Sequence, residues 1–495
     1  MNNLIIKSLS LKAISLTMLA IALMIIAALV TSVAGADSKP LVQQSIKNKP
    51  PVVLIVLDEF PGTALLKPDG SFQKERYPHL NALKNTSSYY PYHSASSNFT
   101  LRGVPAILSG IVEREVQPEE TLFNDFRKMG YRRLISQPLN QIAPLCQQCI
   151  ISQPKNYLAG IKTYDRRSML LAGGINDLKT IKNGDFSFVH ALYPHIPWNR
   201  FPSGKQYSDR GFFNGGDGPT GYDTITLTNN AQLNAKLKAD AETLVEIAEQ
   251  RFIMQAQFTD KIVGSIIKNI KASGNWNKTT LIITSDHGGA FTAGLSRRTV
   301  EGNATLPALT NVPLFIKGPY QKEGLVSNQK TRAISLSKFI LNNLGQQKII
   351  EFKGNNNSVK LWQGVARGYF EMPLNHYLQE RQTLINRSQK RFASNDIFAL
   401  NDFYGKKPNQ EMTIIRNNEI RVNEQEKFNK VNLRSTEMKA GKVSGQLNNG
   451  SIKEIFVTVN GLVAGSGKTY ETNKFNIMLN PKFFRQGKNI VKFFK

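Results

Sequence analysis

Cysteine is nearly absent, with two residues in a chain of 495. That excludes a disulfide framework and a thiolate zinc module. Histidine is scarce too, at six residues, and only one long apolar run occurs, at 13–34. Internal repeats and low-complexity tracts are missing. Acidic residues are few: 36 Asp+Glu face 63 Lys+Arg, giving a formal net charge of +27. Hydrophobic residues make up 41% of the chain, enough for a sizeable core, so wholesale disorder is excluded.

Residues 13–34 carry no charge, and Lys7 and Lys12 lie just before them. A basic start, an apolar helix and Ala34-Gly35-Ala36 read as a signal peptide or a retained membrane anchor over 1–36. Either way the lysines stay in the cytoplasm and the chain beyond residue 37 is exported. Export argues against a genomic nucleic-acid partner. No basic patch interleaved with aromatics on a known scaffold supports one either. The positive charge suits anionic envelope lipids, acidic glycans or phosphate-bearing substrates. In an oxidising compartment Cys146 and Cys149 are expected to form a local disulfide.

After a linker at 37–50, short apolar runs alternate with amphipathic ones. Val52–Leu57, Phe186–Leu192, Thr280–Thr284 and Val312–Ile316 are continuous and rich in β-branched residues, as parallel strands covered on both faces should be. Residues 231–272 carry apolar positions at helical spacing. The pattern predicts an α/β domain over 51–385 with a largely parallel sheet flanked by helices. From 386 to 495 the text turns basic and β-rich, with strands expected at Met412–Ile415, Ile455–Val459, Phe475–Leu479 and Ile490–Phe494. Within it, Gly465-Ser466-Gly467-Lys468-Thr469 imitates the end of a phosphate-binding loop. The first glycine of that pattern is one residue off and no helix follows, so a hairpin turn is expected.

Two apolar strands end in chemistry. Val52–Leu57 runs into Asp58-Glu59, and Thr280–Thr284 into Ser285-Asp286-His287-Gly288. The carboxyl edge of a parallel sheet is where α/β active sites gather. Oxygen and imidazole donors there suit a hard cation. Thr100 opens a short helical stretch closed by Gly110. It reads either as a helix cap or as a nucleophile whose alkoxide a helix dipole and a cation would stabilise.

The combination of VVLIVLDE, Thr100–Gly110, Pro194-His195-Ile196-Pro197-Trp198 and TSDHG resembles the alkaline phosphatase/sulfatase superfamily. It is most similar to bacterial membrane-associated sulfatase-like proteins, and more distantly to lipoteichoic acid synthases and phosphoethanolamine transferases. The resemblance covers about 51–385 and implies an alkaline-phosphatase-like fold, with a β-rich C-terminal domain beyond it. It places Asp58, Asp286 and His287 as metal ligands, Thr100 as nucleophile and bridging ligand, and His195 beside the transferred group. Glu59 falls where sulfatases have a second Asp ligand.

Sulfatases open this helix with a Cys or Ser, followed by Pro and Arg two and four places on, which becomes formylglycine. Here Arg102 and Val104 hold those places and Thr cannot be so converted. The resemblance therefore implies phosphoester cleavage or transfer rather than sulfate ester hydrolysis. Two-metal relatives carry a D-x3-H pair; Asp260 is followed by Gly264 instead, so one divalent ion (Mn, Zn, Mg or Ca) is implied and Asp260 is read as structural. Arg297, Arg298 and Arg102 are candidates to contact the substrate anion, the first two alternatively a solvated pair. Lys317 is a weaker candidate, and His190 is read as a core residue.

The expected function is an exported, metal-dependent hydrolase or transferase acting on a phosphoryl-type ester of a cell-envelope lipid or glycan. The alternatives are a sulfuric ester hydrolase, or a non-catalytic envelope-binding protein with a vestigial site.

Overall fold

The run Val52–Asp58 forms β1, buried along its whole length. Its side chains alternate between two cores: Val53, Ile55 and Leu57 join one, and Val52, Leu54 and Val56 the other. A strand with no polar residue before its last position is one whose two faces are both covered. The computed structural model describes residues 49–207 and 231–495. Gly294, Ser296, Thr299, 301–304, 345–351, 353–356, Asn449 and 471–472 lie outside that description, as do the side chains of 231–239. The apolar run at 13–34 also lies outside it. Among the described residues no helix is long and apolar enough to cross a membrane.

Beside β1 stand β2 (Ser88–Tyr89), β3 (Arg132–Ser136), β4 (Ile150–Ile151), β5 (Asp185–Pro194), β6 (Thr280–Ser285), β7 (Leu314–Lys317) and β8 (Leu325–Val326). They form an eight-stranded sheet in the order β8-β2-β7-β6-β1-β5-β3-β4. The strands β6, β1, β5, β3 and β4 pair in parallel. Among the described strands of this sheet, only β7 runs against its neighbours, antiparallel to both β6 and β2. The sheet is thus largely parallel, but the strand expected at 312–316 is its exception. Because β7 is reversed, Lys317 at its end faces the start of β6, pairing with Leu281. Its ammonium group donates to the carbonyls of Trp276 and Thr279. It therefore serves the loop before β6 and stands at the edge away from Asp286.

The helices are α1 (Pro78–Lys84), α2 (Thr100–Ser109), α3 (Leu122–Lys128), α4 (Arg166–Asp177), α5 (Ala231–Ala272), α6 (Leu306–Thr310), α7 (Leu336–Asn342) and α8 (Leu374–Arg391). Val104 and Ile107 of α2, Phe123 and Phe126 of α3, and Phe339 of α7 cover one sheet face. Leu80 of α1, Leu171 of α4 and Ile262 and Ile266 of α5 cover the other. Asp260 on α5 accepts hydrogen bonds from the His79 and Leu80 N–H groups (3.1 and 2.7 Å), satisfying the first turn of α1.

Beyond the sheet, β9 (Ser358–Trp362) and β10 (Tyr369–Pro373) form a hairpin. The strands β11 (Ile420–Val422), β12 (Lys442–Leu447), β13 (Glu454–Val459), β14 (Leu462–Lys468), β15 (Lys474–Met478) and β16 (Val491–Phe494) build two three-stranded antiparallel sheets. Their orders are β11-β12-β15 and β14-β13-β16. Val443, Ile455 and Phe475 from them share a core cluster with α5. Residues 412–415 make only an isolated bridge, Ile414 to Phe494, instead of the expected strand.

Of the glycine-rich imitation of a phosphate loop, Gly465 to Lys468 lie in β14 and not in a turn. A Cβ at Gly465 would meet the Met478 carbonyl oxygen at 2.2 Å, so glycine there permits close approach of β15. The turn itself is Asn460-Gly461, both at positive φ. Cys146 and Cys149 are joined as a disulfide.

Candidate active site

The strands β1 and β6 end side by side, and their ends are stapled together. The Phe60 N–H donates to Ser285 Oγ at 2.9 Å, and the Ser285 hydroxyl donates to the His287 carbonyl at 2.8 Å. The Glu59 N–H donates to Asp286 Oδ1 at 3.0 Å. Glu59 sits at φ +64°, in the left-handed region that a non-glycine residue adopts only where its surroundings hold it. These bonds converge Asp58, Asp286 and His287, all buried, with ligand atoms within 4.8 Å of one another.

The helix α2 brings the fourth member. Its N-cap is Phe99, with no side-chain cap bond, and Thr100 is the first helical residue. Freed from capping, Thr100 Oγ1 lies 3.4 Å from Asp58 Oδ1 and 3.3 Å from His287 Nε2. Gly103 permits this approach, since a Cβ there would meet the Asp286 carbonyl oxygen at 2.8 Å. Thr100 is 7% exposed, so little of the residue meets bulk solvent.

Each imidazole is oriented by its second nitrogen. The Nδ1–H of His287 donates to the Gly288 carbonyl at 2.7 Å, turning the Nε2 lone pair toward Asp58 and Thr100. The Nδ1–H of His195 donates to the Ile196 carbonyl at 2.7 Å, and its Nε2 accepts from Arg298 Nη2 at 2.7 Å. Gln255 of α5 holds that loop by donating to the Pro194 and His195 carbonyls.

His190, read from the sequence as core, is fully buried but lines the site. Its Nε2 lies 3.5 Å from Asp58 Oδ2, and Nδ1 pairs with Gln137 Oε1 at 3.0 Å. The signal available was its place on β5, the strand adjoining β1.

Arg297 and Arg298 converge on Glu59: Arg297 Nε is 3.3 Å from Oε1 and Arg298 Nη2 is 3.4 Å from Oε2. They are therefore not a solvated pair. Arg102, on α2, is partly exposed and no hydrogen bond or ion pair joins it to these residues among those described.

Burial alone would raise the Asp58 carboxyl, but His195, His190 and His287 together hold it far below its ordinary value. Burial likewise opposes ionisation of Glu59, and Arg297 and Arg298 reverse the effect. Asp286 is raised, first by burial and then by repulsion from Asp58, against the pull of His287.

Asp286 Oδ2 is buried without a hydrogen-bond partner. An orphaned carboxylate oxygen among a second carboxylate, an imidazole lone pair and a hydroxyl fits a hard divalent cation. Asp58, Asp286 and His287 would hold it.

The sulfatase family model matches residues 50–345. Among solved structures, the chain is similar to a 2-O GAG sulfatase (14% identity, 67% of this chain and 87% of that one, TM-score 0.47). It is also similar to the phosphonate monoester hydrolase of Agrobacterium radiobacter (15%, 75% and 86%, 0.42). A third is the zinc-complexed C-terminal periplasmic domain of EcEptC from Escherichia coli (15%, 66% and 94%, 0.42). No significant match was found among curated proteins. With more than half of its length matched by that family model, the chain belongs to the sulfatase family and is an enzyme of the alkaline phosphatase/sulfatase superfamily.

Proposed function

We propose that this enzyme is exported and cleaves or transfers a phosphoryl-type ester of a cell-envelope substrate, with Thr100 as nucleophile. The observation that carries this reading is the placement of Thr100 Oγ1 within 3.4 Å of Asp58 Oδ1 and His287 Nε2, at the positive end of α2. A divalent ion at Asp58, Asp286 and His287 would supply Lewis-acid charge stabilisation and favour the ionised hydroxyl. The chain's own groups do the rest. Thr100 Oγ1 attacks phosphorus, forming a Thr–O–P bond as the bond to the leaving alcohol breaks. Arg298 and Arg297 meet the anionic oxygens. The Thr100 hydroxyl proton is given up to solvent as Oγ1 ionises; as the substrate draws Arg298 toward it, the freed His195 Nε2 lone pair takes up a proton from solvent and passes it to the leaving oxygen. Water or an acceptor hydroxyl then takes the phosphoryl group from Thr100.

Sulfate ester hydrolysis is the second reading, favoured by the family match at 50–345. Against it stands the threonine itself, which cannot become formylglycine.

The test compares matched aryl phosphodiester, phosphomonoester and sulfate substrates, with bound metal quantified. Phosphoester turnover lost at least about a thousandfold in Thr100→Ala, a loss of roughly 4 kcal/mol in transition-state stabilisation, is expected. Sulfate turnover surviving in Thr100→Ala would sink the mechanism.

A further inference from the structure

Asp58, Glu59 and His195 form a second group whose ligand atoms lie within 4.8 Å of one another. Yet Glu59 faces guanidinium groups on both oxygens, and Arg298 Nη2 stands 2.7 Å from His195 Nε2 and 3.4 Å from Glu59 Oε2. An organic cation, the Arg298 guanidinium, already stands between His195 and Glu59, two of the three groups that a second metal ion would need. Glu59 is 2% exposed. The space for its carboxylate is provided by Gly289, where a Cβ would stand 3.0 Å from Oε1.

We propose that Glu59 is a specificity-determining positioning residue, which fixes Arg297 and Arg298 beside the reacting centre and matches the site to monoanionic esters such as phosphodiesters. This rests on the phosphoryl-ester reading above. Three carboxylates, Asp58, Glu59 and Asp286, share the site with the two guanidinium groups, and Glu59 pairs with both of them. With one divalent ion bound and the Thr100 hydroxyl still protonated, these groups leave a single positive charge. An ester carrying one negative charge balances it. A phosphomonoester brings a second negative charge, which then meets carboxylates without a counter-charge in a water-poor site, where such a mismatch is costly. Glu59 thus sets the net charge of the site while it holds the arginines in place, and needs no contact with substrate.

The experiment uses the metal-loaded full chain and its Glu59→Gln and Gly289→Ala variants. Turnover is measured with bis(4-nitrophenyl) phosphate and 4-nitrophenyl phosphate, and calorimetric binding with dimethyl phosphate and methyl phosphate. Metal content per chain is measured alongside. Wild type is expected to bind one metal ion and to favour the diester in both readouts. Glu59→Gln removes the charge and keeps an acceptor for the arginines, so its diester-to-monoester ratio should fall at least tenfold in turnover and in binding. Gly289→Ala displaces the carboxylate without removing its charge, and should slow both esters with the ratio within threefold of wild type. An unchanged ratio in Glu59→Gln, or a tenfold change in Gly289→Ala, overturns the proposal. If wild type hydrolyses neither ester, the phosphoesterase reading fails, and the binding preference still decides the role of Glu59.

Discussion

Thr100 Oγ1 lies 3.3 Å from His287 Nε2, although 187 positions separate the two residues along the chain. The contact exists because α2 approaches the end of β6 at Gly103, where no side chain intervenes. It turns a helix-terminal threonine from a capping residue into a member of a buried polar cluster.

Gly103→Ala should expose that dependence. The added methyl meets the Asp286 carbonyl oxygen at 2.8 Å, so α2 or the loop after β6 must shift. We expect a stability loss of about 1–3 kcal/mol by denaturant titration. The loss of kcat should exceed tenfold, because the hydroxyl moves off line. Wild-type kcat in a folded Gly103→Ala protein would contradict the close approach.

His190 holds Asp58 from behind, with Nε2 3.5 Å from Oδ2 and Gln137 fixing its ring. His190→Phe should weaken divalent-metal binding roughly 10- to 100-fold, measured by chelator competition. Gln137→Ala should weaken it less. Equal metal affinity in wild type and His190→Phe would remove His190 from the site.

The arginines should separate by function. Arg298→Ala is expected to lower kcat/KM by about two orders of magnitude or more, because charge stabilisation in the transition state is lost. Arg102→Ala, on the partly exposed side of α2, should lower it by less than about fivefold. A reversed order would redirect the search for the substrate's anion contact.

Asp260 offers a test by pH away from the site. Burial raises its carboxyl from 3.8 to about 6, in spite of the hydrogen bonds from Leu80 and His79. The folded chain therefore retains a proton that the unfolded chain releases. Stability contributed by this group is present below pH 4 and is lost as pH rises through about 6. Unfolding free energies of wild type and Asp260→Asn should diverge across that window by ~2–3 kcal/mol, with wild type losing more as pH rises. Parallel pH profiles would refute the assignment.

Much of the scaffold was legible because it depends on local chemistry. Val52–Asp58 has no polar residue before its last position, and a strand buried on both faces is the economical reading of that run. Residues 231–272 carry helical periodicity and form one helix over the same span. The expectation failed where partners decide. Whether 314–317 runs with or against β6 is set by the connection and by pairing, neither of which its four residues encode. His190 read as core for the same reason: burial shows in the text, whereas the neighbour across the strand does not.

The sequence by itself determined the alternation of strands and helices, the family, and the residues able to serve as donors at strand ends. Local apolar spacing and strand-terminal chemistry are properties of consecutive residues. The tertiary structure alone decided which donors meet. It joined Thr100 to His287, set His190 behind Asp58, and gathered Arg297, Arg298 and His195 around Glu59. Such encounters depend on strand order and on glycines that allow close packing, and distances of a few ångströms between remote segments are fixed only when the whole core closes.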